Sequence, residues 1–328
     1  MSERVISYTD ALREALAEEM ARDETVFLMG EDIAEYGGAF GVTRGLLDQF
    51  GRERVVNTPI SEPGFTGLAI GAAMTGTRPV VELMFMDFLP LVADQLLNMA
   101  GKLRYVFGEQ AGCPLVIRAP GGAGRCYGPT HSQNLEAWLL HSPGIKIVCP
   151  STPADAKGLL KSAIRDPDPV FFMEHKMLYP TRDEVPENPD LTVPFGQARK
   201  MCDGEDITIV AWSWMAALVD GAALELEKLG VYADALDLRT LVPMDMEAVV
   251  ASVKKTGRLM IVEEAVRTGG VAAEIACRVF ERAYDCLAAP VHRLTLPDIP
   301  ISASPLLEAA ALPSVEKIID MALDLVDG

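Results

Sequence analysis

Short apolar runs alternate with helical-period segments along most of the chain. Val26-Phe27-Leu28-Met29-Gly30 reads as a buried strand ending at glycine. Before it, Leu12, Ala15, Leu16 and Met20 recur at helical spacing, with Thr9 or Asp10 as the expected cap. Further strands are expected at 55–57, 79–85, 114–118, 145–149 and 170–173. Helices are expected after Thr43 and at 64–74, 87–107 and 153–165. A helix could also begin at Ser132. From 207 onward the alternation sharpens. Strands are expected at 207–212, 231–238, 258–262 and 291–296. Helices are expected at 215–229, 244–256 and 270–284, the first two closed by Gly230 and Gly257. Strand–helix alternation implies an α/β fold with two domains, each a mostly parallel sheet carrying helices on both faces. The segment Glu184–Pro194 is proline-rich and acidic and has no period, so it reads as a linker. The expected division is 1–185, a linker at 186–195, and 196–328.

Charge narrows the function classes. The 328 residues carry a formal net charge of −18. Such a surface repels phosphate backbones and anionic lipid heads, so neither nucleic acid nor a membrane is an expected partner. No apolar run approaches the ~20 residues that cross a bilayer. The six cysteines form no C-x-x-C pair and the four histidines no metal-spaced cluster. Scattered cysteines and a polar first segment point to a reducing cytoplasm and buried free thiols.

Two places could carry chemistry. Glu62 stands at a strand-to-helix turn, ahead of the small, apolar run Gly64–Ala73. A carboxylate entering such a helix is costly to bury unpaired, and burial favours its protonated form. The competing reading is a helix-start carboxylate facing the macrodipole. The second place is the loop 119–131, where Gly121, Gly122, Gly124 and Gly128 precede His131. Glycines let a backbone approach a ligand closely, and a loop histidine suits acid–base work, although a structural role fits equally well. His141, His175 and His292 lack that setting. The loop is neither a Walker A motif nor a dinucleotide fingerprint. Trp212-Ser213-Trp214 reads as core, and the acidic C-terminal residues as a solvated face.

The residues also match a known family. Leu28–Asp32, Ile60–Gly71, Val81–Phe88, His131-Ser132-Gln133, Pro143–Val148, Ala156–Leu160 and Leu236–Thr240 occur in family order. The chain resembles, end to end, the β subunits of thiamine diphosphate-dependent E1 components of pyruvate, acetoin and branched-chain 2-oxo acid dehydrogenase complexes. The second half is similar to the C-terminal domain of transketolase-like enzymes.

The resemblance implies that Glu62 hydrogen-bonds N1′ of the cofactor aminopyrimidine. It implies that Phe88 packs on that ring beside Met84, with Glu31, Ile60 and Ser61 nearby. His131 and Phe85 would face the substrate, His131 assisting acyl transfer to lipoamide. Some relatives hold a structural K⁺ at positions matching Leu115, Ala163, Ile164, Asp166 and Asp168, the last being Asn in those relatives. The family's diphosphate and Mg²⁺ site uses a G-D-G motif, which these 328 residues lack. A separate α subunit is therefore expected to supply it, in an α₂β₂ heterotetramer that passes its acyl group to an E2 acyltransferase with lipoyl and subunit-binding domains. The acidic C-terminal residues Glu308, Asp320, Asp324 and Asp327 are expected to face a basic E2 domain. Pyruvate or acetoin is the expected substrate type. A branched-chain E1 β subunit and a non-catalytic scaffold are the alternatives.

Overall fold

The computed structural model describes residues 3–327. The chain forms two compact units, residues 1–121 with 138–195, and residues 122–137 with 196–328. The stretch 122–137, which contains His131, thus groups with the second half of the chain.

The first unit opens with β1 (Glu3–Ser7), α1 (Tyr8–Arg22) and β2 (Val26–Gly30), then α2 (Leu46–Phe50), β3 (Val55–Asn57), α3 (Glu62–Met74) and β4 (Arg78–Glu82). The expected long helix 87–107 is a composite. A 3₁₀ turn at Met86–Phe88 leads into α4 (Leu89–Ala93), a π-helical stretch Asp94–Ala100, and α5 (Gly101–Val106). Next come β5 (Val116–Gly121), α6 (Glu136–Leu140), whose first two residues belong to the second unit, β6 (Lys146–Val148), α7 (Pro153–Arg165), β7 (Val170–His175) and β8 (Arg182–Pro186).

Six parallel strands run in the order β6-β7-β5-β4-β2-β3. β5 and β7 are buried at every position, as strands covered on both faces must be. Arg182–Pro186, whose last residues fall in the expected linker, instead pairs antiparallel with β1. Both partners are short and polar, so neither showed an alternating pattern. The cap of α1 is Ser7, which accepts from the Asp10 amide at 3.0 Å, not Thr9 or Asp10. α1 and α7 are joined by charge: Lys157, fully buried, reaches Glu14 at 2.5 Å and Glu18 at 2.9 Å, and Arg165 grips Glu19 with two bonds.

The second unit holds β9 (Arg199–Cys202), β10 (Ile207–Ala211), α8 (Ser213–Lys228), β11 (Ala233–Asp237), β12 (Thr240–Val242), α9 (Met246–Thr256), β13 (Leu259–Val266), α10 (Val271–Ala283), β14 (His292–Leu296), α11 (Pro305–Ala311) and α12 (Val315–Asp327). Its sheet runs β14-β13-β10-β11-β9, parallel except for β9. α8 and α12 bury Val219, Leu226, Ile318 and Leu325 against Ile209, Ala235 and Val262. Gly257 closes α9 in the left-handed conformation at φ 72°, as its position predicts. No helix begins at Ser132; the next begins at Glu136. Of the six free cysteines only Cys113 and Cys149 are buried. No helix is long and apolar enough to cross a membrane among the described residues.

Candidate active site

In the first unit, three neighbouring strands, β3, β2 and β4, end at the same edge of a parallel sheet. The segments that leave those ends carry the expected residues: Glu31 after β2, Ile60-Ser61-Glu62 after β3, and Met84, Phe85 and Phe88 after β4. Ligands of open parallel sheets gather at such carboxyl ends.

Glu62 begins α3 and is 7 % exposed; Glu31 is 6 % exposed. The Glu31 carboxyl is pushed above the usual range, first by burial and then by the negative charges of Glu62 and Asp32. Its Oε1 is buried without a hydrogen-bond partner. A buried carboxyl with an orphaned oxygen, under the field of a second acid, is a place built to meet a donor. Phe85 stands edge-on to Phe88 at 5.8 Å and to Phe40 at 5.8 Å, and Phe40 stacks on Tyr179 at 4.9 Å. An aromatic wall thus lies after β4, with the Lys176 ammonium 5.3 Å from the Phe85 ring centre. Ile60, by contrast, is 82 % exposed.

Beneath this edge lies a network absent from the sequence reading. Arg118 on β5 donates to Glu82 Oε2 at 2.7 Å and forks onto Glu174 at 2.6 and 2.9 Å, while the Tyr179 hydroxyl donates to Glu174 at 2.7 Å. All four residues are buried. Burial raises the Glu82 carboxyl and the Arg118 charge opposes it. The signal was in the sequence: a charge closes each of the apolar runs Val80-Val81-Glu82, Val116-Ile117-Arg118 and Phe171-Phe172-Met173-Glu174.

The K⁺ positions are also in this unit, and they fit a monovalent cation poorly. Leu115 O accepts from the Val170 amide and Ala163 O from the Asp166 amide. Arg78 donates to Ile164 O and Asp166 O. Lys146 sits 2.6 Å from Asp166 Oδ1 and 3.5 Å from Asp168 Oδ2, and Arg104 lies 2.5 Å from Asp168 Oδ1. Lys146 and Arg104 already neutralise the two carboxylates, Arg78 occupies two of the carbonyls, and a further positive charge would be repelled.

His131 belongs to the second unit. It is half-buried, its Nδ1 lies 3.0 Å from Thr130 Oγ1, and its amide donates to Gly128 O. Beside this segment a cavity of about 480 Å³ is lined by Pro129, Gln133, Glu264, Leu296 and Ile301 among others. Behind it lie buried acids that sequence reading missed. Burial pushes Glu136 up to about 7, although Trp212 Nε1 donates to it at 3.2 Å. Burial and then the Glu136 charge push Glu263, which accepts from the first amides of α10, to about 8. Both folded-state values lie above the ordinary 4.5. The folded chain therefore keeps protons that the unfolded chain releases, and stability falls as pH rises from about 5 through 8. Melting at pH 6 is expected to exceed melting at pH 9, and Glu136→Gln to flatten part of that slope; an unchanged slope in the variant, read by calorimetry, would refute the assignment.

Known proteins with this arrangement decide the family. Residues 4–182 match the transketolase pyrimidine binding domain and residues 196–318 the transketolase C-terminal domain. The pyruvate dehydrogenase E1 component subunit beta of Rickettsia felis is 45 % identical, over 96 % of each chain. The chain belongs to the E1 β subunit family. The corresponding subunit of Rhizobium meliloti is 49 % identical over 95 % of this chain and 68 % of its own length. Acetoin:2,6-dichlorophenolindophenol oxidoreductase subunit beta of Bacillus subtilis is 43 % identical over 98 % of both. A solved split-gene transketolase, described as an inactive β4 tetramer, shares the fold at TM-score 0.79 and 22 % identity over 98 % of both chains. E1 β subunits of both the pyruvate and acetoin kinds thus stand at similar distance from this protein.

Proposed function

We propose that this chain is the β subunit of a thiamine diphosphate-dependent E1 enzyme that decarboxylates a 2-oxo acid or cleaves acetoin and hands the acyl group to E2 lipoamide. The observation that carries the reading is the paired buried acids Glu31 and Glu62 beside the Phe85–Phe88 wall at one sheet edge. The orphaned Glu31 oxygen and that wall fit a flat, apolar heterocycle with polar nitrogens on its rim. When bound, thiamine diphosphate supplies the electron sink for the cleaved carbon–carbon bond.

This chain's residues would do the rest. Glu62 would hold and move a proton at N1′ of the aminopyrimidine. Glu31, whose carboxyl keeps a proton more readily than usual, would hold a second charge or proton beside it. Phe88 and Met84 would pack on the ring, Ile60 and Ser61 would flank it, and Phe85 would screen the substrate side from water. His131 would give or take a proton at the reacting oxygen during acyl transfer. The diphosphate and Mg²⁺ would be held by an α subunit, in an α₂β₂ assembly.

The E2 partner remains part of this reading, with one change. Glu308 is 3 % exposed and bound inward, so it cannot meet a basic E2 domain. Asp320, Asp324 and Asp327 on α12 are exposed and can.

Turnover of pyruvate, acetoin and branched-chain 2-oxo acids by the co-expressed αβ pair tests the reading. Pyruvate or acetoin should be preferred. Turnover of none of the three would overturn it.

A further inference from the structure

The glycine-rich loop that carries His131 is held by a carboxylate 184 positions beyond Gly124. Glu308 on α11 accepts from the Gly124 amide at 3.1 Å, from the Cys126 amide at 3.0 Å and from Cys126 Sγ at 3.1 Å. Glu264, at the end of β13, accepts from the Ala123 amide. The loop needs such anchors. Gly122, Gly124 and Gly128 all have positive φ, and so does Cys126 at 58°. A side chain in that region is sterically strained. A turn of this kind aims successive amides at one point, and a buried carboxylate is the partner that satisfies them. The segment before α11 also touches the loop, since a Cβ at Gly128 would lie 3.4 Å from Ala303. From Gly128 the chain turns directly into His131, whose amide donates to Gly128 O, and Gly122 N to Gln133 O closes the loop.

We infer that Glu308 is a positioning residue: by gathering the Gly124 and Cys126 amides it fixes the loop that sets His131, and so acts on the acyl-transfer step through that histidine. Glu264 holds the preceding residue of the same loop. This rests on the role proposed above for His131. A glutamine at 308 keeps one acceptor oxygen but loses the charge and turns an amide NH₂ toward the remaining donors, so it weakens the anchor with little change in volume.

The test uses the assembled αβ enzyme with a lipoyl domain as acceptor, in a double-mutant cycle of Glu308→Gln and His131→Ala. Two readouts are followed: amide hydrogen exchange at 123–126, and the rate of lipoyl acylation against dye-coupled substrate oxidation. In the wild-type background E308Q should raise exchange at least about tenfold and lower acylation by about 10–100-fold, a range typical of groups that orient a reacting side chain. Dye reduction should fall less. In the H131A background E308Q should change acylation less than about twofold. Glu308→Asp, still anionic but one methylene short, should show the same pattern more weakly and serves if E308Q does not assemble. Unchanged exchange in the 308 variants, or equal losses of acylation in both backgrounds, overturns the inference. Full acylation by H131A alone would instead overturn the role given to His131, with the exchange result still reporting whether Glu308 holds the loop.

Discussion

Glu62→Gln in the assembled αβ enzyme is expected to lose about 100-fold or more of its turnover while the chain keeps its fold, since a positioned acid–base group contributes typically ~10²–10⁴-fold. Glutamine has almost the same shape and still accepts a hydrogen bond, but it cannot take up a proton. Glu62 sits at the first position of α3, buried, within the electrostatic reach of Glu31. Removing its charge should also relieve Glu31, whose carboxyl should then titrate closer to the ordinary range. The measurement is dye-coupled turnover together with the melting temperature. A variant keeping more than about a tenth of wild-type turnover would remove Glu62 from the proposed chemistry. A variant that melts far below wild type would show that the carboxylate serves the fold instead.

The largest effect on stability is expected at Arg118→Met. Arg118 is 2 % exposed, and its guanidinium pairs two carboxylates, Glu82 and Glu174, that are themselves buried. Removing one partner of a buried ion network costs about 3–5 kcal/mol, because the charges left behind have no counterion and no water. For a domain of this size each kcal/mol shifts melting by roughly 2–4 °C, so a loss on the order of 10 °C follows. The burial that already raises Glu82 would then act unopposed by Arg118. Glu82 would hold its proton to higher pH, and the variant's deficit should shrink on acidification. Calorimetry at two pH values reads both effects. A fall of under about 2 °C would mean that the network contributes little beyond filling space.

What could be read from the sequence, and what could not, divides along physical lines. The parallel strands were legible because strands buried on both faces leave unbroken apolar runs, as at Ile207–Ala211 and Phe171–Met173. The turn before Glu62 was legible because a carboxylate stands directly ahead of a small, apolar helix. The β1–β8 pair was not, since Glu-Arg-Val-Ile-Ser and Arg-Asp-Glu-Val-Pro are polar and pair across the length of the first unit. The π-helical stretch 94–100 keeps helical periodicity and hides its change of pitch. Glu308 shows the limit most clearly. In α11 the two leucines, Leu306 and Leu307, are 83 % and 62 % exposed while the glutamate is buried. Hydrophobicity inverts there because the loop at 124–126 supplies donors that only a distant acceptor can meet. The K⁺ positions show a similar limit: the oxygens are present, but Arg78, Lys146 and Arg104 arrive from elsewhere to bind them.

In the proposed function this chain carries the pyrimidine side of a cofactor site that another subunit completes. The most direct test is thiamine diphosphate-dependent dye reduction by this chain alone, by the α subunit alone, and by the two co-expressed. Activity confined to the pair is the expected result. Turnover by this chain alone would contradict it, and would place the whole cofactor site within these residues.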